Sequence, residues 1–269
     1  MSRISIEATF AWTQRIVARE WGLLLPIALA FLAFPQLALV LTMPPGVQQL
    51  LQTVPVTNPD RVMAVMLWLV PAIVLIVALS GIGGLAITAL ALTPRISVGE
   101  SIVRALRRFP VLAGSALILF FGLLFFAMLE FTLLTLIGLD PVRLQAIAAT
   151  LMVVASFALM VRMSPLPAII VDRRIGPIDA LGEAWTLGRG AGWKMFLALL
   201  IYYLGAVIIV IALGTAFGAC IQLAARLGGW PAIADPIMAV IERFMGGATA
   251  AGAYVIGAGF YRQLSARKG

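Results

Sequence analysis

The sequence predicts an all-α protein: a polytopic membrane bundle of six transmembrane helices with three interfacial amphipathic helices. Of its 269 residues, 62% are hydrophobic and only 11% are charged, against roughly 25% charged in soluble domains. Apolar runs of more than about 18 residues recur along the whole length, which is typical of membrane helices. No polar segment is long enough to form a soluble unit, so residues 1–269 are expected to form one integral membrane domain.

Six apolar cores along the chain justify this prediction. Several exceed the ~20 residues that cross a bilayer, so we expect tilted or protruding helices. The cores lie near residues 21–43, 66–92, 111–138, 144–161, 195–223 and 240–261.

Basic residues divide unequally between the two sides of the predicted bundle, and the chain carries a net charge of +8. Because basic loops are retained in the cytoplasm, the richer side is predicted to be cytoplasmic, in a bacterial inner membrane. Both termini belong to it, which requires an even number of spans. The richer side holds Arg3, Arg15, Arg19, Arg95, Arg104, Arg107, Arg108, Arg173, Arg174, Arg189, Lys194, Arg262, Arg267 and Lys268, and the other side holds Arg61, Arg143, Arg226 and Arg243.

The cytoplasmic segments resemble one another and predict a threefold internal repeat with units of about 1–92, 93–171 and 172–269. Each unit begins with a short amphipathic stretch, which is followed by basic residues and an apolar span. Repeats of this kind indicate the architecture of the whole chain.

The middle amphipathic stretch begins at Ser97, which forms a predicted capping box with Glu100. Its polar face carries Arg104, Arg107 and Arg108, which are expected to lie among lipid phosphates at the membrane interface. The alternative is that such helices only set the topology and pack beneath the bundle. In the third stretch, Pro177 suits the first turn of a helix that follows Gly176.

One segment resembles a known family. The chain reads RMSPLPAIIVD over 162–172, IGPIDAL over 175–181 and WTLGRG over 185–190, and then has Trp193. This pattern is similar to the membrane domain fused to some glycerophosphoryl diester phosphodiesterases, and to a broader set of six-span bacterial membrane proteins. Ala184 and Gly188 depart from it, since family members often have serine and threonine there.

The resemblance implies a fold and no chemistry. In the fused enzymes catalysis belongs to a separate soluble barrel, whereas this chain has neither such a domain nor any histidine. Histidine is the commonest general base and metal ligand. We therefore expect no enzyme activity, no cofactor and no metal site.

Arg162 closes the fourth predicted span, and Pro165 and Pro167 are expected to break the helix just after it. One hypothesis is that Arg162 binds a lipid phosphate at the inner leaflet together with Arg173 and Arg174. The alternative is a snorkelling arginine that only ends the span.

Glu130 lies inside the third predicted span, where a carboxylate is costly and therefore a functional candidate. It is a proton-linked or cation site, it pairs with an arginine, or it is a protonated structural side chain hydrogen-bonded to a neighbouring helix. A direct pair with Arg162 is expected only if a helix is broken. The glycines of the second and sixth spans, such as Gly84 and Gly257, are expected to permit close helix packing.

Three functions follow from these features. The first is a non-enzymatic protein that binds anionic phospholipid or scaffolds a protein partner at its cytoplasmic face, with no role for nucleic acid. The second is a transporter or lipid-translocating protein that uses Glu130. The third, an intramembrane enzyme, lacks a recognisable nucleophile or acid pair. Self-association through glycine-rich faces stays open.

Overall fold

The computed structural model describes residues 5–44, 47, 59–137, 140–230 and 233–266. Arg3, Arg267 and Lys268 of the predicted topology lie outside this part. Every regular element within it is helical, so the all-α class is confirmed. The elements are α1 (Ile6–Ile27), a π-helical turn (Ala28–Ala33), α2 (Phe34–Thr42), α3 (Pro59–Leu92), α4 (Val98–Leu136), α5 (Pro141–Met163), α6 (Leu166–Asp172), α7 (Pro177–Leu187), α8 (Gly192–Gly228) and α9 (Ala234–Ser265).

By length and composition, the described residues contain five segments that are able to cross a membrane. The sixth predicted span, 240–261, lies inside α9, which is long enough but is not among the five. Its glycines and the charged residues Glu242 and Arg243 lower its mean hydropathy. The five segments are Ile6–Thr42, Val65–Leu92, Val98–Leu136, Val142–Asp172 and Gly192–Gly228.

The amphipathic stretches differ from the prediction of three separate interfacial helices. The first is continuous with α1, and the second is continuous with the whole of α4, which tolerates Pro110 in its interior. Only the third forms a helix of its own, α7, which begins after Gly176 and ends at Leu187. The three units therefore differ in structure, and the threefold repeat is not confirmed.

The predicted helix break after Arg162 is confirmed. Helix α5 ends at Met163, and α6 begins at Leu166, directly after Pro165. Helix α6 lies in the core, where Ile169 and Ile170 are fully buried and pack in one cluster with residues of α3 and α9. A carbonyl freed at the break needs protein or water nearby. The backbone of Gly257 in α9 approaches that of Ser164 closely enough that a Cβ at position 257 would lie 2.5 Å from the Ser164 carbonyl oxygen.

Glycines elsewhere also bring helices into close contact, as predicted. The π-helical turn precedes Pro35, which has no N–H to donate and whose ring crowds the preceding turn. Gly83 of α3 packs against Phe31 in this turn, and Gly247 of α9 packs against Ala33. The π-helical turn is therefore packed between α3 and α9.

The two described ends of the chain lie side by side. The Ser5 amide donates to the Gln263 side-chain oxygen at 3.2 Å, and the Gln263 amide donates to the Thr9 hydroxyl at 2.9 Å. The start of α1 and the end of α9 therefore share one end of the bundle. The end of α6 joins them, because the Tyr261 hydroxyl donates to Asp172 at 2.5 Å.

Candidate functional site

Five arginines line one cleft at this end of the bundle, which we call the basic cleft. It opens where the turn between α3 and α4, the first turns of α4 and the segment after α6 meet, and its volume is about 1220 Å³. Two carboxylates, Glu100 and Asp172, also line it. The arginines are Arg95, Arg104, Arg107, Arg108 and Arg174.

Local structure at the start of α4 positions three of these arginines. The Ser97 side chain accepts from the Glu100 amide, and the Glu100 carboxylate accepts from the Ser97 amide, so the predicted capping box is confirmed. From this fixed start, Arg104, Arg107 and Arg108 fall on one helix face at spacings of three and four residues. The Arg104 guanidinium also donates to the Thr93 hydroxyl at 2.9 Å, which ties it to the preceding turn.

Arg95 contributes through an unusual backbone conformation. Its φ of 64° is the one positive value at a non-glycine position in the described part of the chain. A left-handed backbone costs an ordinary residue about 1–2 kcal/mol, and glycine or asparagine is the usual occupant. An arginine here retains a charge beside the cleft at the expense of backbone strain.

Positive charges outnumber negative ones in the basic cleft, which has five arginines and two carboxylates. Glu100 is held by Ser97, and Asp172 accepts the Tyr261 hydroxyl. Within the described ranges, none of the five cleft arginines forms an ion pair. The cleft therefore presents guanidinium groups that are available to an external anion, for which arginine has a geometric match in phosphate.

Arg173, predicted as a headgroup ligand, is not among the residues that line the basic cleft, although its chain neighbours Asp172 and Arg174 are. Its guanidinium forms an ion pair with Glu183 of α7 at 2.6 Å and donates to the Tyr261 hydroxyl at 3.4 Å. The hydrogen bond with Tyr261 and the nearby carboxylates raise the pKa of Arg173. These contacts join the end of α6 to α7 and α9 and therefore stabilise the packing of these helices.

Arg162 is also separated from Arg174, and lines an apolar groove between α4 and α5. The groove has a volume of about 490 Å³ and is otherwise lined by Ile118, Leu119, Gly122, Leu123, Phe126, Ala155, Ala158, Leu159 and Trp185. The guanidinium carbon of Arg162 lies over the Trp185 ring, 3.9 Å from its centre. Gly188 leaves room for the arginine, since a Cβ there would lie 3.2 Å from the Arg162 Cγ.

Glu130 is buried, with 8% of its surface exposed. Its Oε1 atom has no hydrogen-bond partner among the described residues. Neither a pair with Arg162 nor a hydrogen bond from a neighbouring helix to this oxygen is present there.

Three contributors to these sites were missed from the sequence. Arg95 was counted only toward topology, although it directly follows Pro94 in the short turn before α4. Trp185 was predicted to lie on the apolar face of the third amphipathic stretch and in the family pattern, and no local signal places it against Arg162. Gly122 carries no signal, since only the packing of α4 on α5 shows that it borders a groove.

In comparisons with known proteins, no protein-family model matches the chain, and no curated protein or solved structure matches it either. The resemblance carried by residues 162–193 therefore stays a prediction.

Proposed function

We propose that this chain is a non-enzymatic, six-span protein of a bacterial inner membrane that binds the phosphate of anionic lipids in its basic cleft. The observation that carries the proposal is the convergence of five arginines without ion pairs, in the described structure, at the ends of long apolar helices. Arg174 joins Arg104, Arg107 and Arg108 there, although about 70 residues separate them along the chain.

The membrane orientation is supported by the meeting of helix ends. The contact between Ser5 and Gln263 puts the first and last described helices at one end of the bundle, as an even number of spans requires. The contact between Asp172 and Tyr261 brings the end of α6 to the same place. This end carries the excess of basic residues, so it is the proposed cytoplasmic face.

Anionic lipid is the occupant that best fits the chemistry. The leaflet that faces the cytoplasm is rich in acidic headgroups, which attract basic residues at the surface. All five cations of the cleft are arginines, which bind phosphate through two parallel hydrogen bonds, as a lysine does not. Apolar residues such as Leu92 and Val103 line the same cleft and suit the glycerol and upper acyl region of a lipid.

Lipid titration followed by native mass spectrometry tests this proposal. The full-length protein, stripped of lipid in detergent, is titrated with phosphatidylglycerol and with phosphatidylcholine of the same acyl chains, and separately with glycerol 3-phosphate. Each arginine near an anionic surface contributes about 1 kcal/mol, and a tenfold change in Kd needs about 1.4 kcal/mol. The quadruple variant Arg104→Gln, Arg107→Gln, Arg108→Gln, Arg174→Gln should therefore bind phosphatidylglycerol at least tenfold more weakly.

The matched control removes the same charge from exposed positions outside the cleft: Arg15→Gln, Arg19→Gln, Arg189→Gln, Arg262→Gln. It should retain the preference for phosphatidylglycerol over phosphatidylcholine. Equal weakening by both variants would mean that net charge alone attracts the lipid, and would overturn the site. Binding of glycerol 3-phosphate as tight as that of the lipid would point to a soluble phosphate ligand instead.

A second candidate, a transporter or lipid-translocating protein, is supported by the buried and unpartnered Oε1 of Glu130. Proteoliposomes loaded with a pH-sensitive dye test it under an imposed potassium diffusion potential. If the protein transports protons, proton entry into vesicles that contain it should exceed that into empty vesicles. The Glu130→Gln variant should lose this excess. Glu242→Gln, which changes an exposed carboxylate in α9, is the control.

A further inference from the structure

The groove between α4 and α5 is apolar along its length and cationic at one end. On α4 its lining runs from Ile118 to Phe126, and on α5 it runs from Ala155 to Arg162. At 1.5 Å per helical residue the α4 side is roughly 12 Å long. One leaflet of the bilayer contributes half of a hydrocarbon core of about 30 Å. The length of the groove is therefore close to the thickness of the hydrocarbon region of one leaflet.

Arg162 lies at the polar end of this groove with incomplete hydrogen bonding. Its Nε atom is buried, and in the described part of the protein it has no hydrogen-bond partner. Its described contacts include no ion pair; the stacking on Trp185 holds the group without neutralising it. The guanidinium charge therefore has no counter-ion among the described residues, and an anion at this end of the groove would supply one.

Trp185 indicates the depth of this end. It is exposed, and tryptophans concentrate at the boundary between headgroups and hydrocarbon. A cation stacked on such a ring lies where lipid phosphates lie. The apolar remainder of the groove then extends toward the membrane interior, where an acyl chain would run.

We propose that this groove binds one acyl chain of an anionic phospholipid whose phosphate is held by Arg162. The inference rests on the proposed membrane placement, but on a different surface, since no residue lines both the groove and the basic cleft. In contrast to the hypothesis drawn from the sequence, this proposal does not group Arg162 with Arg173 and Arg174 in one lipid site. The chain thus has a site for a single intercalated lipid in addition to the surface cleft.

Gly122 offers a way to close the groove without touching Arg162. A Cβ at this position would meet no protein atom within 4 Å, so a larger side chain would enter the groove instead of displacing protein. The test variant is Gly122→Leu, and Ala158→Phe fills the groove from the α5 side. Gly214→Leu is the matched control, because Gly214 of α8 also faces open space but does not line the groove.

The experiment is again native mass spectrometry of the full-length protein, with phosphatidylglycerol, phosphatidylcholine of the same chains, and palmitate as separate probes. We expect one phosphatidylglycerol to be retained most tightly by the wild type. Gly122→Leu and Ala158→Phe should each weaken its binding at least tenfold, while Gly214→Leu should not. Arg162→Gln should remove the preference over phosphatidylcholine, and Arg162→Lys should restore part of it.

Several outcomes would overturn the proposal. Retention of the tight lipid in both groove-filling variants would mean that it binds elsewhere. A groove that takes palmitate but no phosphatidylglycerol would have a fatty acid as its occupant. Melting temperatures near that of the wild type show that the variants are folded. The quadruple cleft variant should keep this one tightly bound phosphatidylglycerol and lose only the additional phosphatidylglycerol that the basic cleft binds, so failure of the cleft and failure of the groove are distinguishable.

Discussion

The guanidinium carbon of Arg162 lies 3.9 Å from the centre of the Trp185 ring, although the two residues belong to different helices, α5 and α7. The contact joins the end of α5 to α7, which forms a separate helix. It also holds the arginine at the end of the apolar groove instead of letting it extend freely to water. The same pair therefore serves packing and the proposed lipid site.

Replacing Trp185 by leucine should weaken phosphatidylglycerol binding in the groove. A cation–π contact contributes about 0.5–2 kcal/mol, which corresponds to roughly a twofold to thirtyfold change in Kd. Trp193→Leu is the control, because this exposed tryptophan stacks on Phe196 and not on an arginine. Titration with phosphatidylglycerol measures both variants, and an equal effect would exclude a specific role for the Arg162–Trp185 contact.

The ion pair between Arg173 and Glu183 should stabilise the fold without contributing to the basic cleft. A double-mutant cycle with Arg173→Gln and Glu183→Gln should give a coupling free energy of about 0.5–1 kcal/mol, measured by unfolding in detergent. The value is small because 39% of the Arg173 side chain is exposed and water screens it. Added salt should lower it further.

The exposed pair Arg143–Asp140 is the reference for this cycle, with an N–O distance of 3.5 Å and an Arg143 side chain that is 80% exposed. Its coupling should be near zero. If Arg173→Gln weakens phosphatidylglycerol binding as strongly as the cleft variant does, Arg173 belongs to the lipid site as the sequence predicted.

Two glycines of α9 should respond oppositely to alanine. At position 257 a Cβ would lie 2.5 Å from the Ser164 carbonyl oxygen, which belongs to backbone and cannot rotate away. Gly257→Ala should therefore destabilise the protein by about 1–2 kcal/mol through overpacking. Gly246→Ala meets open space and should stabilise it by up to about 1 kcal/mol through helix propensity. Unfolding free energies that shift in the same direction would contradict this packing of α9 on the helix break.

Arg95→Asn should weaken lipid binding without lowering the stability of the protein. Asparagine adopts the left-handed conformation more readily than arginine, so the free energy of unfolding should stay the same or rise by up to about 1 kcal/mol. Phosphatidylglycerol binding should fall, because the cleft loses one of its charges. Arg95→Lys retains both the charge and the strain, so its free energy of unfolding should equal that of the wild type, and its phosphatidylglycerol binding should lie between those of the wild type and Arg95→Asn. Reduced stability in Arg95→Asn would show that the arginine side chain itself supports the turn.

Local features of this protein were readable from the sequence because they depend on neighbouring residues. Apolar runs longer than a bilayer requires indicated the all-helical class. The reciprocal hydrogen bonds of Ser97 and Glu100, and the helix break at Pro165, follow from spacing and from the missing proline N–H. The continuity of the first two amphipathic stretches with the apolar cores that follow them was missed. In the second stretch, Pro110 stands directly before the apolar core and favours a break, but α4 continues through it.

The sequence by itself therefore determined the composition of the helices, their caps and breaks, and the supply of arginines for a basic face. Only the tertiary structure decided how those arginines are grouped: Arg174 with Arg104, Arg107 and Arg108 in the basic cleft, Arg173 with Glu183, and Arg162 with Trp185. The physical reason is that propensity and hydrogen-bond spacing act over a few residues. Grouping depends on contacts between helices that are distant in sequence, and glycine positions such as Gly257 set how closely those helices approach.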